Sequence, residues 1–403
     1  ADWVEAGTPL IKACGLDAVR ALKKAFPDKT IVADMKTMDT GAFETEIAIK
    51  AGAGVVGILG AASDGTFKEA VKAARKYGAK VYMDLISVPD KVARAKQAEA
   101  LGVDFVCLHM GVDEQMRGAK PLDILRKVAA AVRIPVMVAG GLNTETVGEC
   151  VKAGASVVIV GGALTKAADI AGEARKLKTA MRDRKVIPTE LFKKYSQTEL
   201  REAFLQCSTS NISDAMHRKG AMDGGIVARQ QGARVAGRAL TVFTADGDWA
   251  KTVEAIDQAQ PGDVLVIDAR GGQTATWGEL ASHSSQLKGV AGLVNDGAVR
   301  DIDDIRAMQF PVWSRWVVPN AGEPKGFGEI GAEVRCGGQL VRSGDWVIAD
   351  DMGVVVVPQE QAQEVANRSV EVHERENRLR EEIKRGKTLS SVLSLKKWEK
   401  VVG

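Results

Sequence analysis

The sequence predicts an α/β protein: a (β/α)8 barrel followed by a mixed α/β domain. At 403 residues the chain is too long for one ordinary core and suits two domains. Residues 1–180 repeat a unit of apolar strand, turn and amphipathic helix. This repeat ends at residues 181–196, and the residues that follow have a different pattern of short strands and helices.

The strands of the first part are continuous apolar runs, which are typical of a parallel sheet covered on both faces. Helices such as Thr66–Tyr77 and Asp90–Ala100 lie between them. A spacing of about 22–30 residues per unit fits a barrel. The predicted strands are Trp3–Ala6, Thr30–Asp34, Val55–Leu59, Lys80–Leu85, Phe105–His109, Pro135–Ala139 and Val157–Val160.

These strands are one short of a closed barrel, and an open edge would expose unpaired backbone groups. The chain opens directly on the strand-like Trp3-Val4-Glu5. We therefore expect the sequence to lack one strand and one helix at its N-terminus.

The segment 181–196 is charged, contains Pro188 and is interpreted as a linker. The predicted barrel is thus 1–180, the second domain 197–392 and a loose tail 393–403. The second domain's predicted strands are Arg234–Phe243, Asp263–Ile267, Gly292–Val294, Val312–Val318, Trp346–Ala349 and Val354–Val357. Its predicted helices include Trp249–Gln258, Trp277–Lys288, Asp301–Met308 and the charged Gln359–Arg385.

Composition excludes several classes of protein. The net charge is +3 with both signs interspersed, so a nucleic-acid surface is not indicated. No apolar run reaches a membrane-spanning length, and no secretory leader is visible. The five scattered cysteines argue for a reducing cytoplasm and against structural zinc or disulfides.

The first candidate site follows the apolar run Ile31-Val32-Ala33, as Asp34-x-Lys36-x-x-Asp39. Asp34 and Lys36 would share a face of an extended strand. With Glu5 and His109, which end other predicted strands, they can hold a divalent metal and move a proton. The alternative is a solvated turn with a surface ion pair, which contributes little.

Glycine pairs end the last two strands of the predicted barrel: Gly140-Gly141 and Gly161-Gly162. Backbone N–H groups at this place commonly hold a phosphate. The alternative is that glycine simply permits tight turns. Two pairs in consecutive units favour the phosphate.

Residues 1–180 resemble the 3-hexulose-6-phosphate synthases of the orotidine-monophosphate-decarboxylase superfamily. The DxKxxD motif marks the superfamily, and the TMDTG and HMGVDEQ stretches favour the synthases over the related 3-keto-gulonate-phosphate decarboxylases. The stretches that carry the resemblance are VEAGTPLIKACGLDAV (4–19), VADMKTMDTGAFE (32–44), GAASD (60–64), HMGVDEQ (109–115), VAGGLNTET (138–146) and VIVGGALT (158–165).

The resemblance implies a magnesium-dependent aldol reaction of formaldehyde with ribulose 5-phosphate. Glu5 and Asp34 would ligate Mg²⁺, with Mn²⁺ as a second possibility. Lys36 would stabilise the enediolate, and His109 would move a proton. Asp39 would reach across a dimer interface. Decarboxylation of a sugar-acid or nucleotide phosphate is the alternative.

The second domain has its own constellation at Gly278-Glu279-Leu280, Arg300-Asp301 and Asp304. Asp301 can bind a metal, with Glu279 and Asp304 acting through water. Arg300 can clamp a carboxylate, and backbone N–H groups at residues 278–280 can meet an oxyanion. The alternative is a structural ion-pair network.

This spacing resembles the class II pyruvate aldolases that cleave 4-hydroxy-4-methyl-2-oxoglutarate and the RraA-like proteins. Supporting stretches are STSNISDAM (208–216), PGDVLVIDARGG (261–272) and GVAGLVNDGAVRD (289–301). The resemblance leaves open an aldolase, an oxaloacetate decarboxylase or a non-catalytic assembly module. It also implies trimers through this domain and dimers through the barrel, hence a homo-oligomer.

Overall fold

The computed structural model describes residues 1–118, 121–189 and 193–393 and divides the chain into two compact units, residues 1–194 and 195–403. A helix of the first unit runs to Asp183, and Tyr195 is buried in the second unit's core. The predicted linker therefore overlaps both units. Residues 190–192 of that linker, and the predicted tail except Leu393, lie outside the described residues.

The first unit is built on a parallel sheet whose strands follow chain order from β1 to β7. Its strands are β1 Trp3–Ala6, β2 Thr30–Thr37, β3 Val55–Leu59, β4 Lys80–Asp84, β5 Phe105–His109, β6 Val136–Ala139 and β7 Ala155–Ile159. Its helices are α1 Thr8–Cys14, α2 Asp17–Ala25, α3 Gly41–Lys50, α4 Asp64–Lys76, α5 Lys91–Leu101, α6 Val112–Met116, α7 Leu122–Ala131, α8 Val147–Lys152, α9 Gly162–Thr165 and α10 Ile170–Asp183.

The predicted barrel architecture is confirmed, in the form of a half-barrel. Among the described residues, no pairing joins β1 to β7. The concave side of the sheet is filled by an apolar cluster that includes Val32, Tyr82, Phe105 and Met137. Because all the strands are parallel, their carboxyl ends lie along one edge, where barrel enzymes place their chemistry.

The second unit contains a mixed sheet in the order β18-β17-β9-β10-β12-β13-β8, with β11 beside β12 and β14 beside β9. Its strands are β8 Val227–Ala228, β9 Val235–Thr244, β10 Val264–Asp268, β11 Ala275–Trp277, β12 Gly292–Val299, β13 Val312–Val317, β14 Gly328–Ile330, β15 Val334–Cys336, β16 Gln339–Val341, β17 Trp346–Asp350 and β18 Gly353–Val357. Its helices are α11 Leu200–Gln206, α12 Thr209–Ala215, α13 Ala250–Gln258, α14 Glu279–Leu287, α15 Ile302–Ala307, a 3₁₀ turn Gln359–Gln361, α16 Ala362–Lys384 and α17 Leu389–Leu393.

Two predicted elements of the second unit were wrong in their bounds. The helix expected from Trp277 begins at Glu279, because Trp277 ends β11 and pairs with Val299. The strand expected to stop at Val294 continues to Val299, because β11 and β13 flank its second half. In the described ranges, no helix combines the length and apolar character that crossing a membrane requires.

Candidate active site

Charged side chains meet at the carboxyl edge of the first unit's sheet. Glu5 lies in β1, Asp34 and Lys36 lie in β2, and His109 ends β5. The structure adds Asp84, which ends β4 and was not among the predicted site residues. Its signal was the same as that of Asp34: an acid that closes an apolar strand.

The Lys36 ammonium lies between two carboxylates. Its Nζ is 2.8 and 2.7 Å from the two Asp34 oxygens and 2.6 Å from Asp84 Oδ2. His109 Nδ1 is 2.9 Å from the same Asp84 oxygen. One continuous network therefore joins Asp34, Lys36, Asp84 and His109.

The backbone at Lys36 differs from the extended strand that the sequence suggested. Lys36 has a φ of 53°, in the left-handed region. The pairing of β2 with β3 also changes register between Ala33 and Thr37. Non-glycine residues rarely adopt this conformation, and those that do cluster at functional sites. The two groups do meet, but the expected reason, a shared strand face, was wrong.

Two further residues that the sequence reasoning missed hold Asp34. The Tyr82 hydroxyl donates to Asp34 Oδ1 at 2.9 Å, and the Thr8 hydroxyl lies 2.8 Å from Oδ2. Thr8 also lies 2.7 Å from the Asp34 carbonyl oxygen. These residues are distant from Asp34 in sequence, so only the fold brings them together.

The network fixes the charge states of Lys36 and Asp84. Burial opposes the charge on Lys36, but Asp84 and Asp34 outweigh it and raise the pKa of the ammonium. Burial would raise the pKa of Asp84, but His109 and Lys36 outweigh it and lower that pKa. At neutral pH Lys36 is therefore a cation and Asp84 an anion.

Glu5 is the member of the group whose negative charge is unfavourable in its surroundings. Burial, followed by the negative charge of Asp34, raises the pKa of Glu5 to about 7. A divalent cation would relieve both effects, and carboxylate oxygens are the ligands that Mg²⁺ prefers. The described residues contain no group of three or more His, Cys, Asp or Glu side chains arranged to hold a metal. Glu5 and Asp34 nonetheless fit Mg²⁺, which commonly takes one or two protein carboxylates and completes its shell with substrate and water.

The raised pKa of Glu5 predicts a pH-dependent penalty on stability. Between about pH 4.5 and 7 the folded chain keeps a proton that the unfolded chain has lost, so stability falls as pH rises. Glu5→Gln removes this penalty. In metal-free protein we expect its free energy of unfolding to exceed that of wild type by about 2–3 kcal/mol at pH 8, with little difference at pH 4.

Urea unfolding in the presence of EDTA measures this difference. Glu46→Gln is the matched control, because Glu46 is exposed and the Lys50 ammonium lowers its pKa. The control should show no gain at pH 8. A gain for Glu5→Gln that is equal at pH 4 and pH 8 would contradict the assignment.

The predicted phosphate glycines follow β6 and β7. Gly140 and Gly141 have φ values of 100° and 65°. A Cβ at Gly140 would lie 2.3 Å from the Met110 carbonyl oxygen, so this pair also has a structural need for glycine. Gly161 has open space around it, and Gly162 begins α9. Phosphate binding stays a prediction.

Asp39 lies apart from the network. It is exposed, and its Oδ1 accepts a hydrogen bond from the Thr40 backbone N–H at 2.7 Å. Among the described residues, no hydrogen bond links Asp39 to Asp34, Lys36, Asp84 or His109. The exposed side chains of Met38 and Phe43 lie near it in sequence.

The second unit brings Glu279, Arg300 and Asp301 together. Asp301 Oδ2 is 3.4 Å from Arg300 Nε and accepts a hydrogen bond from the Glu279 backbone N–H at 3.2 Å. Asp301 thus occupies the helix start that was predicted to meet an oxyanion. Asp304 is exposed, on the first turn of α15. His283 was missed: its Nε2 lies 2.9 Å from Glu279 Oε1, one helical turn away.

Each unit of the chain matches a model of a known protein family. Residues 1–177 match the model of the orotidine 5'-phosphate decarboxylase / HUMPS family, and residues 209–356 match the RraA-like (Aldolase/RraA) model. The chain therefore belongs to the orotidine 5'-phosphate decarboxylase / HUMPS family through its first unit and carries an RraA-like domain in its second.

Several similar relatives are named 3-hexulose-6-phosphate synthase. The chain is 47% identical over 180 residues to a 3-hexulose-6-phosphate synthase of Mycobacterium gastri, covering 45% of this chain and 87% of that protein. It is 42% identical over 178 residues to the enzyme of that name from Bacillus subtilis, covering 44% and 85%. A crystal structure of a 3-hexulose-6-phosphate synthase matches with 48% identity, coverage of 45% and 87%, and a TM-score of 0.44. The prediction of an enzyme of the aldehyde-lyase class is confirmed.

Proposed function

We propose that the first unit joins formaldehyde and ribulose 5-phosphate to give 3-hexulose 6-phosphate, or catalyses the reverse reaction. The observation that supports this most directly is the Lys36 ammonium, held within 2.6–2.8 Å of Asp34 and Asp84. A fixed cation at this edge is suited to an enediolate, the anion that an aldol reaction of a hydroxyketone must form. The names of the relatives at 47% and 42% identity support the same reaction.

His109 carries out the proton transfers. Asp84 is ionised and accepts from Nδ1, so the imidazole carries its proton on Nδ1 and offers the Nε2 lone pair as a base. This base takes a proton from C1 of ribulose 5-phosphate. The resulting C1 carbanion forms the new bond to the formaldehyde carbon, and the formaldehyde oxygen receives the proton as it becomes a hydroxyl.

The remaining groups bind and orient the substrate. Lys36 stays charged and neutralises the oxygen that becomes negative at C2. A divalent cation held by Glu5 and Asp34 would polarise the substrate carbonyl. Backbone N–H groups at Gly140, Gly141, Gly161 and Gly162 would receive the phosphate.

We propose that Asp39 completes the site of a second copy, because it is exposed and, within the described part of the chain, its hydrogen bond is to the neighbouring Thr40. The exposed Met38 and Phe43 would then be covered in the assembly. Measurement of the mass in solution tests this, and a monomer would contradict it.

The unpaired cysteines support a cytoplasmic location. Recovery of the protein outside the cell would contradict this location.

The test of the proposed reaction is loss of formaldehyde in the presence of ribulose 5-phosphate and Mg²⁺. We expect EDTA to abolish it and Mg²⁺ or Mn²⁺ to restore it. Ribulose without its phosphate is the matched control and should react far more slowly. A full chain that consumes no formaldehyde would contradict the proposal.

For the second unit we propose metal-dependent carbon–carbon cleavage of a 2-oxo acid. The observation that favours it is the half-exposed pair Arg300–Asp301 beside Glu279. Arg300 would bind the substrate carboxylate, and Asp301 would hold the metal. The donor set fits Mg²⁺, which retains several waters when a site supplies few carboxylates. A non-catalytic assembly module is the alternative.

A further inference from the structure

Tyr82 is a buried polar residue in an otherwise apolar setting. The residue is 2% exposed and belongs to the cluster that fills the concave side of the first unit's sheet. Phenylalanine would fill the same space without burying a hydroxyl, and burying a hydroxyl is unfavourable unless the group is hydrogen-bonded. Among the residues that the structure describes, the hydroxyl donates to Asp34 Oδ1, at 2.9 Å.

The neighbouring strand is adapted to this side chain. Gly57 of β3 pairs directly with Tyr82 of β4. A Cβ on Gly57 would lie 2.3 Å from both the Tyr82 hydroxyl oxygen and its Cζ. Glycine weakens a strand interior and often marks a close approach of another group. The buried hydroxyl and the strand glycine are each locally unfavourable, and both are needed for the hydrogen bond between Tyr82 and Asp34.

That hydrogen bond limits the rotation of Asp34. Tyr82 contacts Oδ1, Thr8 contacts Oδ2, and Lys36 contacts both oxygens. Without Tyr82, Asp34 Oδ1 keeps its contact with the Lys36 ammonium but loses its second donor, and rotation about the broad Cβ–Cγ torsion becomes easier. The Lys36 ammonium contacts both Asp34 oxygens and Asp84 Oδ2, so rotation of Asp34 would change its position between the two carboxylates.

We infer that Tyr82 is a positioning residue that fixes the Asp34 carboxylate, and through it the Lys36 ammonium, for the reaction at this site. The inference rests on the proposed function. Tyr82 touches neither substrate nor metal in this assignment, so its removal should slow the chemical step more than it weakens binding of the sugar phosphate.

Tyr82→Phe in the full chain tests this. We expect kcat to fall about ten- to a hundredfold, with KM for ribulose 5-phosphate changed less than about threefold. Tyr77→Phe is the matched control, because the Tyr77 hydroxyl donates to Glu46 at the surface at 2.7 Å. It should keep the kcat of wild type. An unchanged kcat for Tyr82→Phe, or a loss confined to KM, would overturn the inference.

A second readout does not need activity. The chain has three tyrosines, so protein labelled with ¹³C at tyrosine Cζ gives few signals, and Tyr82→Phe identifies one of them. We expect this signal to shift in Asp34→Asn. An unshifted signal overturns the inference, whereas an inactive wild-type chain overturns the proposed reaction and leaves the ¹³C signal to decide whether Tyr82 holds Asp34.

Discussion

Lys36→Met is expected to lower kcat/KM for formaldehyde and ribulose 5-phosphate by at least about a thousandfold. The ammonium lies within 2.6–2.8 Å of Asp34 and Asp84 and is charged at neutral pH. Methionine has similar length but no charge, so the enediolate loses its fixed cation and also faces two carboxylates. The steady-state rate of formaldehyde loss measures the effect.

The same substitution leaves two buried carboxylates without their cation, which typically destabilises a fold by about 3–5 kcal/mol. Lys36→Met/Asp84→Asn therefore serves as a second variant, because it removes one charge of each sign. It should fold and remain inactive. Lys50→Met is the matched control, since it breaks an exposed pair with Glu46 and should leave the rate unchanged. Near-normal activity of a folded Lys36→Met chain would exclude the assigned role.

Much of the first site was predictable because parallel strands bring their ends together. Continuous apolar runs indicated the strands, and acids or bases at their ends indicated Glu5, Asp34, Lys36 and His109. The left-handed backbone of Lys36 was not predictable from an extended pattern. Nor were the partners Thr8 and Tyr82, because neither lies close to Asp34 in sequence.

The second unit was harder because several of its strands, β8, β11, β14, β15 and β16, have only two or three residues. The hairpin of β15 and β16 was missed, although Gly337-Gly338 between them is a strong local signal for a tight turn. Strand β11 has three residues and gains its place by pairing with β12. That pairing sets the position of Gly278, which directly precedes α14 and lies close to the Asp301 carboxylate. The position of β11 depends on contacts with residues that are distant in sequence, which the local sequence pattern does not reveal.

Asp301→Asn is expected to reduce metal-dependent release of pyruvate from 4-hydroxy-4-methyl-2-oxoglutarate or oxaloacetate by at least about a hundredfold. The amide keeps the size of the side chain and an oxygen that can still accept from the Glu279 N–H. It removes the negative charge that would hold the metal and pair with Arg300. Pyruvate formation by the full chain, with and without added Mg²⁺ or Mn²⁺, measures the effect.

Asp303→Asn separates loss of this site from loss of any nearby acid. Asp303 is almost fully exposed and pairs with Arg306 at 3.4 Å, so its replacement should leave pyruvate release unchanged. Formaldehyde consumption by Asp301→Asn should also match wild type, because the first site lies in the other unit. If wild type releases no pyruvate from either acid, the second unit is better explained as an assembly module. If Asp301→Asn is as active as wild type, cleavage occurs without Asp301, and the metal must be held elsewhere.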